Sequence, residues 1–284
     1  MKKTVPAITQ KQVAAFLGPR PRDSHKGMFG TVLVVGGTCG MAGAALLAGR
    51  AALKLGAGCV HVGLLAEAAP SVDMLQPELM LHRVLDVPRL PKAGVVAIGC
   101  GMGTSNPAQK LLADVLRLDA ALVLDADALT LLARHADLQT DLRARKGATV
   151  ITPHPGEAAR LLGVSTPQVQ KARIQSAQVL AQKLHCAVAL KGADTVCVTR
   201  SGNTFLNTTG NPGMSAPGMG DVLTGMMAAL IAQGLDADQA LPLAVHLHGA
   251  AGDALAENGI AAGMTASEVT EWARWLLNQW TSRR

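Results

Sequence analysis

The 284-residue sequence contains no tyrosine, and its three Phe and three Trp leave aromatic residues at only 2%. Proteins that hold single-stranded nucleic acid stack bases on aromatic side chains, so the chain is poorly equipped for that role. Its five cysteines, Cys39, Cys59, Cys100, Cys186 and Cys197, are an odd number and form no Cys-x-x-Cys pair. A zinc ribbon and a disulfide framework are thereby excluded, and a reducing, cytoplasmic compartment is expected. No Gly-x-Gly-x-x-Gly fingerprint and no Gly-Lys-Ser/Thr phosphate loop occur, which excludes the two commonest nucleotide signatures. The opening MKKTVPAITQKQ has no apolar core, so no signal peptide is expected. Apolar stretches such as AGAALLAG meet Arg50 and Lys54 too soon to cross a bilayer. Linkers, charge blocks and low-complexity tracts are missing too, and one domain over 1–284 is expected.

Hydrophobic residues make up 49% and charged residues 16%, ample for a large core and contrary to disorder. The 26 basic and 20 acidic residues leave a net charge of +6, which suits an anionic partner. The basic residues are dispersed apart from Lys2, Lys3 and Arg283, Arg284 at the ends. A small anionic ligand such as a phosphate therefore fits better than a polynucleotide.

Short apolar runs recur at 32–35, 59–64, 95–98, 122–124, 149–151, 187–190 and 195–198. Several are continuously apolar, the pattern of strands buried on both faces of a parallel sheet. Helical spacing fills 41–55, 107–116, 167–184, 222–232, 242–255 and 267–280, and Gly56 reads as the stop of the first helix. Strands alternating with helices predict an α/β fold, a three-layer αβα sandwich with a mostly parallel central sheet. Ligands of such sheets bind beyond the carboxyl ends of the strands, so the loops after the apolar runs are the candidate site.

The most specific of these loops is Gly210–Gly225, whose glycines run straight into an apolar helix. Gly218, Met219 and Gly220 offer bare N–H groups and a positive helix end to a phosphate. Asp221, in the first turn, is placed to take a proton from a group held beside that phosphate. The bland reading is a glycine turn with an ordinary first-turn Asp. In Thr152–Glu157, two prolines stiffen the loop around His154, a candidate ligand contact. Glu157 either reaches a metal through water or merely begins a helix. Lys191 meets a phosphate as a point charge or is the solvated lysine of a hairpin; both stay open. Gly36–Ala44 and Gly99–Gly103 are further glycine loops after strands, able to admit a ligand or simply to pack tightly. Asp125 ends a strand and could help hold a metal, and Asp127 is a candidate cap for the next helix. His246 and His248, two apart on a helix, point to different sides and make no metal pair. Trp272 and Trp275 read as packing residues of the last helix.

Taken together, HKGMFGTVLVVGG, GAALLAGRAALKLGAGCVHVG, IGCGMG, LVLDADAL, ITPHPGE, LKGADTV and GNPG…GMGDVLTG resemble the ADP- or ATP-dependent NAD(P)H-hydrate dehydratases. They stand in that family's order from about Lys26 to Asp253. The resemblance implies a ribokinase-like fold and repair of hydrated NADH and NADPH (NADHX and NADPHX). ADP or ATP would be the phosphate donor, with Mg²⁺, and the assembly a homo-oligomer such as a tetramer. It implies that Asp221 is the base and touches the hydrated nucleotide. Ala44, Gly101 or Gly103, and His154 would contact that nucleotide too. Lys191, Gly192, Ala193, Asp194 and Thr195 would line the adenine nucleotide, and Gly220, within the Gly218–Met219–Gly220 loop, would touch its AMP portion. No metal ligand is assigned. The chain departs from the family in carrying Pro217-Gly218 where two glycines are usual, and Pro217 has no N–H to add to a phosphate cradle. The N-terminal epimerase domain of many relatives is expected to be absent. Two other functions compete: a small-molecule kinase of the hydroxymethylpyrimidine or hydroxyethylthiazole type, and a nucleotide-binding protein without efficient catalysis.

Overall fold

The computed structural model describes residues 5–84 and 93–282. Lys2, Lys3, Arg283 and Arg284 lie outside the described residues. Among the described residues, nine strands form one sheet: β1 (Thr31–Gly36), β2 (Cys59–Leu64), β3 (Met80–Arg83), β4 (Val95–Ile98), β5 (Ala121–Leu124), β6 (Thr149–Ile151), β7 (Ala187–Leu190), β8 (Thr195–Val198) and β9 (Thr204–Asn207). Their order is β3-β2-β1-β4-β5-β6-β7-β8-β9. Pairings from β3 through β7 are parallel, and β8 and β9 close the edge antiparallel. The mostly parallel αβα sandwich is as expected.

Among the described residues, eleven helices cover the two faces: α1 (Gln10–Ala14), α2 (Ala42–Lys54), α3 (Asn106–Leu116), α4 (Asp127–Arg134), α5 (Ala136–Ala144), α6 (Pro155–Leu162), α7 (Thr166–Lys171), α8 (Arg173–Leu184), α9 (Met219–Ala232), α10 (Ala237–Glu257) and α11 (Ala266–Ser282). Strand parity sorts the cores. Val32, Val34, Val123, Val150, Ala187 and Ala189 pack under α1, α2, α9, α10 and α11. Leu33, Val35, Leu122, Leu124, Ile151, Val188 and Leu190 pack under α3 to α8. Burial on both faces accounts for the unbroken apolar runs.

The single helix expected over 167–184 is two, α7 and α8, broken at Ala172 (φ −136°, ψ 46°). The break lets Arg173 open α8 with its guanidinium on the carbonyl oxygens of Leu190 and Lys191. The helix expected from Pro242 starts at Ala237 instead, because Asp236 caps it by accepting the Asp238 N–H, and Pro242 sits inside. Asp127 is not a cap: it lies within the first turn of α4, after Ala126. Trp275 is half exposed, stacked edge-on against Trp272 rather than buried. Among the described residues, no helix is long and apolar enough to cross a membrane.

Candidate active site

Parity places the first two site residues. Leu122 and Leu124 face the α3–α8 layer and Val123 faces the other, so Asp125, one step past β5, turns toward α9. By the same count Lys191, one step past β7, follows Ala187 and Ala189 to that side. The two meet: Lys191 Nζ lies 2.6 Å from Asp125 Oδ1, and Thr224 of α9 donates to Asp125 Oδ2 at 3.1 Å. The Asp125 side chain is 2% exposed and that of Lys191 21%. Burial alone would pull the Lys191 ammonium down, but Asp125 and Glu157 outweigh it and hold it above the ordinary lysine value.

The amino end of α9 stands over this pair. Its cap, Gly218, has φ +86°, and a Cβ there would come within 2.6 Å of Leu47 and 3.1 Å of Ala266. Left-handed backbone and close packing together require glycine. At Gly220 a Cβ would stand 3.1 Å from Lys191 Nζ and 3.3 Å from Asp125 Oδ2, so bare backbone meets the ion pair. Asp221 follows in the first turn. Burial pushes its carboxyl up to about 6, against the pull of the nearby Cys100 thiol. Asp125 and Asp127 push in the same direction as burial, and Lys191 opposes. The stabilisation a helix start gives a carboxylate is thus outweighed by loss of water. Asp221 remains mostly ionised at neutral pH, yet is a far stronger base than a surface aspartate.

His154 caps α6. Its Nδ1 accepts the Gly156 N–H at 2.9 Å, and Glu157 Oε2 accepts the His154 N–H at 2.7 Å. Burial, then Lys191 and Arg160, pull the imidazole down, so it is neutral. With Nδ1 accepting, the proton sits on Nε2, 3.4 Å from Glu157 Oε1 and half exposed to an incoming ligand. Glu157 is pushed up to about 7, mainly by burial.

The glycine loops are interlocked rather than free. Gly101 packs against Ala44 and Met41: a Cβ on it would lie 2.8 Å from the Met41 Cβ and 3.1 Å from that of Ala44. The Gly103 N–H is already given to Asp127 Oδ2 at 2.8 Å. Between Asp125 and Asp127, Ala126 holds a positive φ of 49°, a strained backbone of the kind stored at functional sites. Gly192, Ala193, Asp194 and Thr195 form the exposed turn between β7 and β8 and the start of β8; the Lys191 turn is a hairpin and Lys191 is nonetheless held by Asp125.

Residues at the ends of β4, β5, β6 and β7 and the start of α9 therefore converge at one sheet edge. Cys100 and Thr224 had no signal in the sequence. His248 of α10, expected to be structural, lies with its ring against the Met219 backbone. Burial, then Lys191, pull it down to about 4, and its buried Nε2 has no hydrogen-bond partner among the described residues. The set offers an acceptor for a proton, a cation, and backbone N–H groups beside both, the parts that phosphoryl transfer requires.

The NAD(P)H-hydrate dehydratase family model matches residues 32–274. The chain is 41% identical over 266 residues to an ADP-dependent (S)-NAD(P)H-hydrate dehydratase of Neisseria meningitidis, covering 92% of this chain and 90% of that one. It is 42% identical to a bifunctional NAD(P)H-hydrate repair enzyme of Coxiella burnetii, matching 94% of this chain and spanning about half, 54%, of that longer relative. Among solved structures, the ADP/ATP-dependent NAD(P)H-hydrate dehydratase of Bacillus subtilis, co-crystallised with ATP and Mg²⁺, superposes with a TM-score of 0.87 at 31% identity, covering 98% of this chain and 99% of that one. A hydroxyethylthiazole kinase of Pyrococcus horikoshii shares the fold alone, with a TM-score of 0.61 at 18% identity over 94% of this chain and 91% of that one. Converging loops, ordered motifs and full-length likeness agree: the chain belongs to the NAD(P)H-hydrate dehydratase family.

Proposed function

We propose that this chain restores NADH and NADPH from their hydrates, using ADP or ATP as phosphate donor. One observation carries the reading: Asp221 is a half-buried carboxylate raised to about 6, in the first turn of α9 beside Lys191 and the bare backbone of Gly220. Asp221 takes the proton of the substrate hydroxyl as its oxygen attacks the terminal phosphorus of the donor. That P–O bond forms while the bond to the departing AMP (or ADP) breaks. The C–O bond of the phosphorylated hydroxyl then breaks, its electron pair leaves with inorganic phosphate, and a ring C–H proton passes to that departing phosphate as its electron pair returns the dihydronicotinamide double bond. The N–H groups at Gly218–Gly220, with Lys191, hold the phosphate charge. The turn Lys191–Thr195 lines the adenine nucleotide. His154 donates from Nε2 to the hydrated nucleotide, with Ala44 and Gly101 beside it; Gly103 contributes backbone shape, since its N–H is engaged by Asp127.

Mg²⁺ suits these side chains. Among the described residues no three His, Cys, Asp or Glu side chains form a cage. A cation that keeps its waters and takes phosphate oxygens needs only one or two carboxylates. Asp125 and Glu157, at the same sheet edge, would hold it, and bound there it would neutralise phosphate charge. A homo-oligomer and a reducing intracellular compartment belong to the same proposal; all five cysteines are free, which suits the latter.

The test is incubation of the purified protein with hydrated NADH, Mg²⁺ and ADP or ATP, followed at the dihydronicotinamide absorbance. Recovery of the absorbance is expected. A stable phosphorylated product without absorbance would establish a kinase instead, and nucleotide binding with no turnover a non-catalytic protein.

A further inference from the structure

In the turn Lys191–Thr195 the carbonyl groups are taken by the protein and most of the N–H groups are not. Arg173 opens α8 at the break after Ala172. Its Nη2 donates to the carbonyl oxygen of Leu190 at 3.1 Å and to those of Lys191 and Asp194 at 3.4 Å, and its Nη1 reaches the Lys191 oxygen as well, at 3.4 Å. Gln170 steadies the guanidinium, its Oε1 accepting from Nη1 at 3.0 Å. The Gly192 carbonyl accepts the Thr195 hydroxyl at 2.9 Å. On the donor side, the Lys191 N–H goes to the Pro153 carbonyl at 2.8 Å. Among the described residues, the N–H groups of Gly192, Ala193 and Asp194 have no partner in the protein. All three residues are exposed, so a ligand can reach these donors.

The bend of the turn depends on the same contacts. Gly192 has φ +137°, and a Cβ on it would stand 3.0 Å from Arg173 Nη1, so bare backbone meets the guanidinium. Asp194 holds a φ of +53°, a conformation that persists in a residue other than glycine where its surroundings impose it. Carbonyl oxygens gathered together repel one another. A planar, permanently charged fork of five N–H donors is the side chain that can hold several of them at once. Backbone N–H groups left over in a turn of this kind are donors for an anion.

We propose that Arg173 is a positioning residue for the nucleotide: by drawing the carbonyl oxygens of Leu190, Lys191 and Asp194 onto one guanidinium, it leaves the N–H groups of Gly192, Ala193 and Asp194 set to receive ADP or ATP. The inference rests on the turn lining the adenine nucleotide. Lys191 has anchors of its own, its N–H on Pro153 and its Nζ on Asp125. Loss of Arg173 should therefore act on nucleotide binding rather than on the chemical step.

The experiment is calorimetric titration with ADP and Mg²⁺, together with kcat and the KM values for ADP and hydrated NADH, on the wild type, Arg173→Met, Arg173→Lys and Ala193→Glu, with melting temperatures alongside. Hydrogen bonds from a charged donor are strong enough that Arg173→Met should raise the Kd for ADP by about 10-fold. The KM for ADP should rise with it, while kcat and the KM for hydrated NADH move by less than about 3-fold. Arg173→Lys keeps the charge without the fork, so its Kd should fall between the two. A side chain that served stability alone would lower the melting temperature and leave the Kd of the folded protein unchanged. An unchanged Kd in Arg173→Met, or a fall in kcat as large as the rise in the KM for ADP, would overturn the proposal. Ala193→Glu, which puts a negative charge on the exposed turn, separates the two ideas. If it binds ADP as the wild type does, the nucleotide is not at this turn and the underlying reading has failed. If it weakens ADP while Arg173→Met does not, only the role of Arg173 has failed. Should Arg173→Met not fold, Arg173→Lys decides: a Kd raised by about 3-fold is expected, and a wild-type Kd would refute the role of the fork.

Discussion

Asp221→Asn should make the protein more stable while nearly abolishing its activity. The fold raises this carboxyl from 3.8 to about 6, burial being the main cause. Because the folded state holds the proton more tightly than the unfolded chain, ionisation works against folding. The penalty is about 3 kcal/mol above pH 6, about half of that at pH 5, and absent below about pH 3.8. An asparagine has the same shape and carries no charge to desolvate. At pH 8 the variant should therefore melt roughly 6–12 °C above the wild type, a domain of this size moving by about 2–4 °C per kcal/mol. The gap should narrow by about half at pH 5. Loss of the general base should at the same time lower kcat by about 10²–10⁴-fold with modest change in KM. Melting curves by calorimetry and initial rates on one protein preparation check both halves. A variant that melts below the wild type at pH 8, or a gap that is constant from pH 5 to 8, would refute the claim that Asp221 is held ionised against burial. A near-normal kcat would remove it from the chemistry altogether.

Four further outcomes follow from the same geometry. Lys191→Met leaves Asp125 buried without its cation, so stability should fall by about 3–5 kcal/mol and nucleotide affinity with it, as read by melting and by calorimetric titration with ADP; unchanged ADP affinity would take Lys191 out of the nucleotide site. Gly218→Ala forces a left-handed φ of +86° and a contact of 2.6 Å with Leu47, for a loss of about 1–3 kcal/mol from overpacking and a lower kcat; an unperturbed melting temperature would show that the α9 cap yields. Glu157, raised to about 7, must lose its proton to serve a cation, so affinity for Mg²⁺ in the presence of ADP should rise from pH 6 to 8 with proton release measurable by titration in buffers of different ionisation heat; pH-independent binding would exclude it as a ligand. Pro217→Gly should raise kcat/KM, since one added donor to a developing oxyanion can be worth roughly 2.7–4 kcal/mol, while the freer chain costs about 0.4–1 kcal/mol of stability; a lower melting temperature with unchanged kinetics would mean the added N–H does not reach the phosphate.

The seven valine-rich runs were legible because strands covered on both faces need apolar side chains at every position, and all seven are strands of the sheet. β3 and β9 were not, because edge strands such as Met80–Arg83 are half exposed and mix Met, His and Arg. The α4 to α6 helices are short, and polar residues such as Gln139, Asp141 and Arg143 dilute their apolar stripe. Lys191, His154 and the glycine loops drew attention by their places after apolar runs, and Asp221 by its place in the first turn of an apolar helix. What the sequence could not state is which of them meet. The Lys191–Asp125 pair spans 66 residues, and the Thr224–Asp125 bond 99, so both depend on strand order. Strand parity, applied to Val123 and Ala189, would have put Asp125 and Lys191 on the same face as α9. Cys100 had no such signal, since a buried cysteine looks like any small apolar residue until its neighbour is known. That the Gly103 N–H is spent on Asp127, 24 residues away, is likewise legible only from the fold.

The most direct test of the account is stoichiometry. With hydrated NADH, ADP and Mg²⁺, one inorganic phosphate and one AMP should appear for every dihydronicotinamide restored, and Asp221→Asn should suppress all three together. Accumulation of a phosphorylated nucleotide without inorganic phosphate, or restored absorbance with no consumption of ADP or ATP, would contradict it.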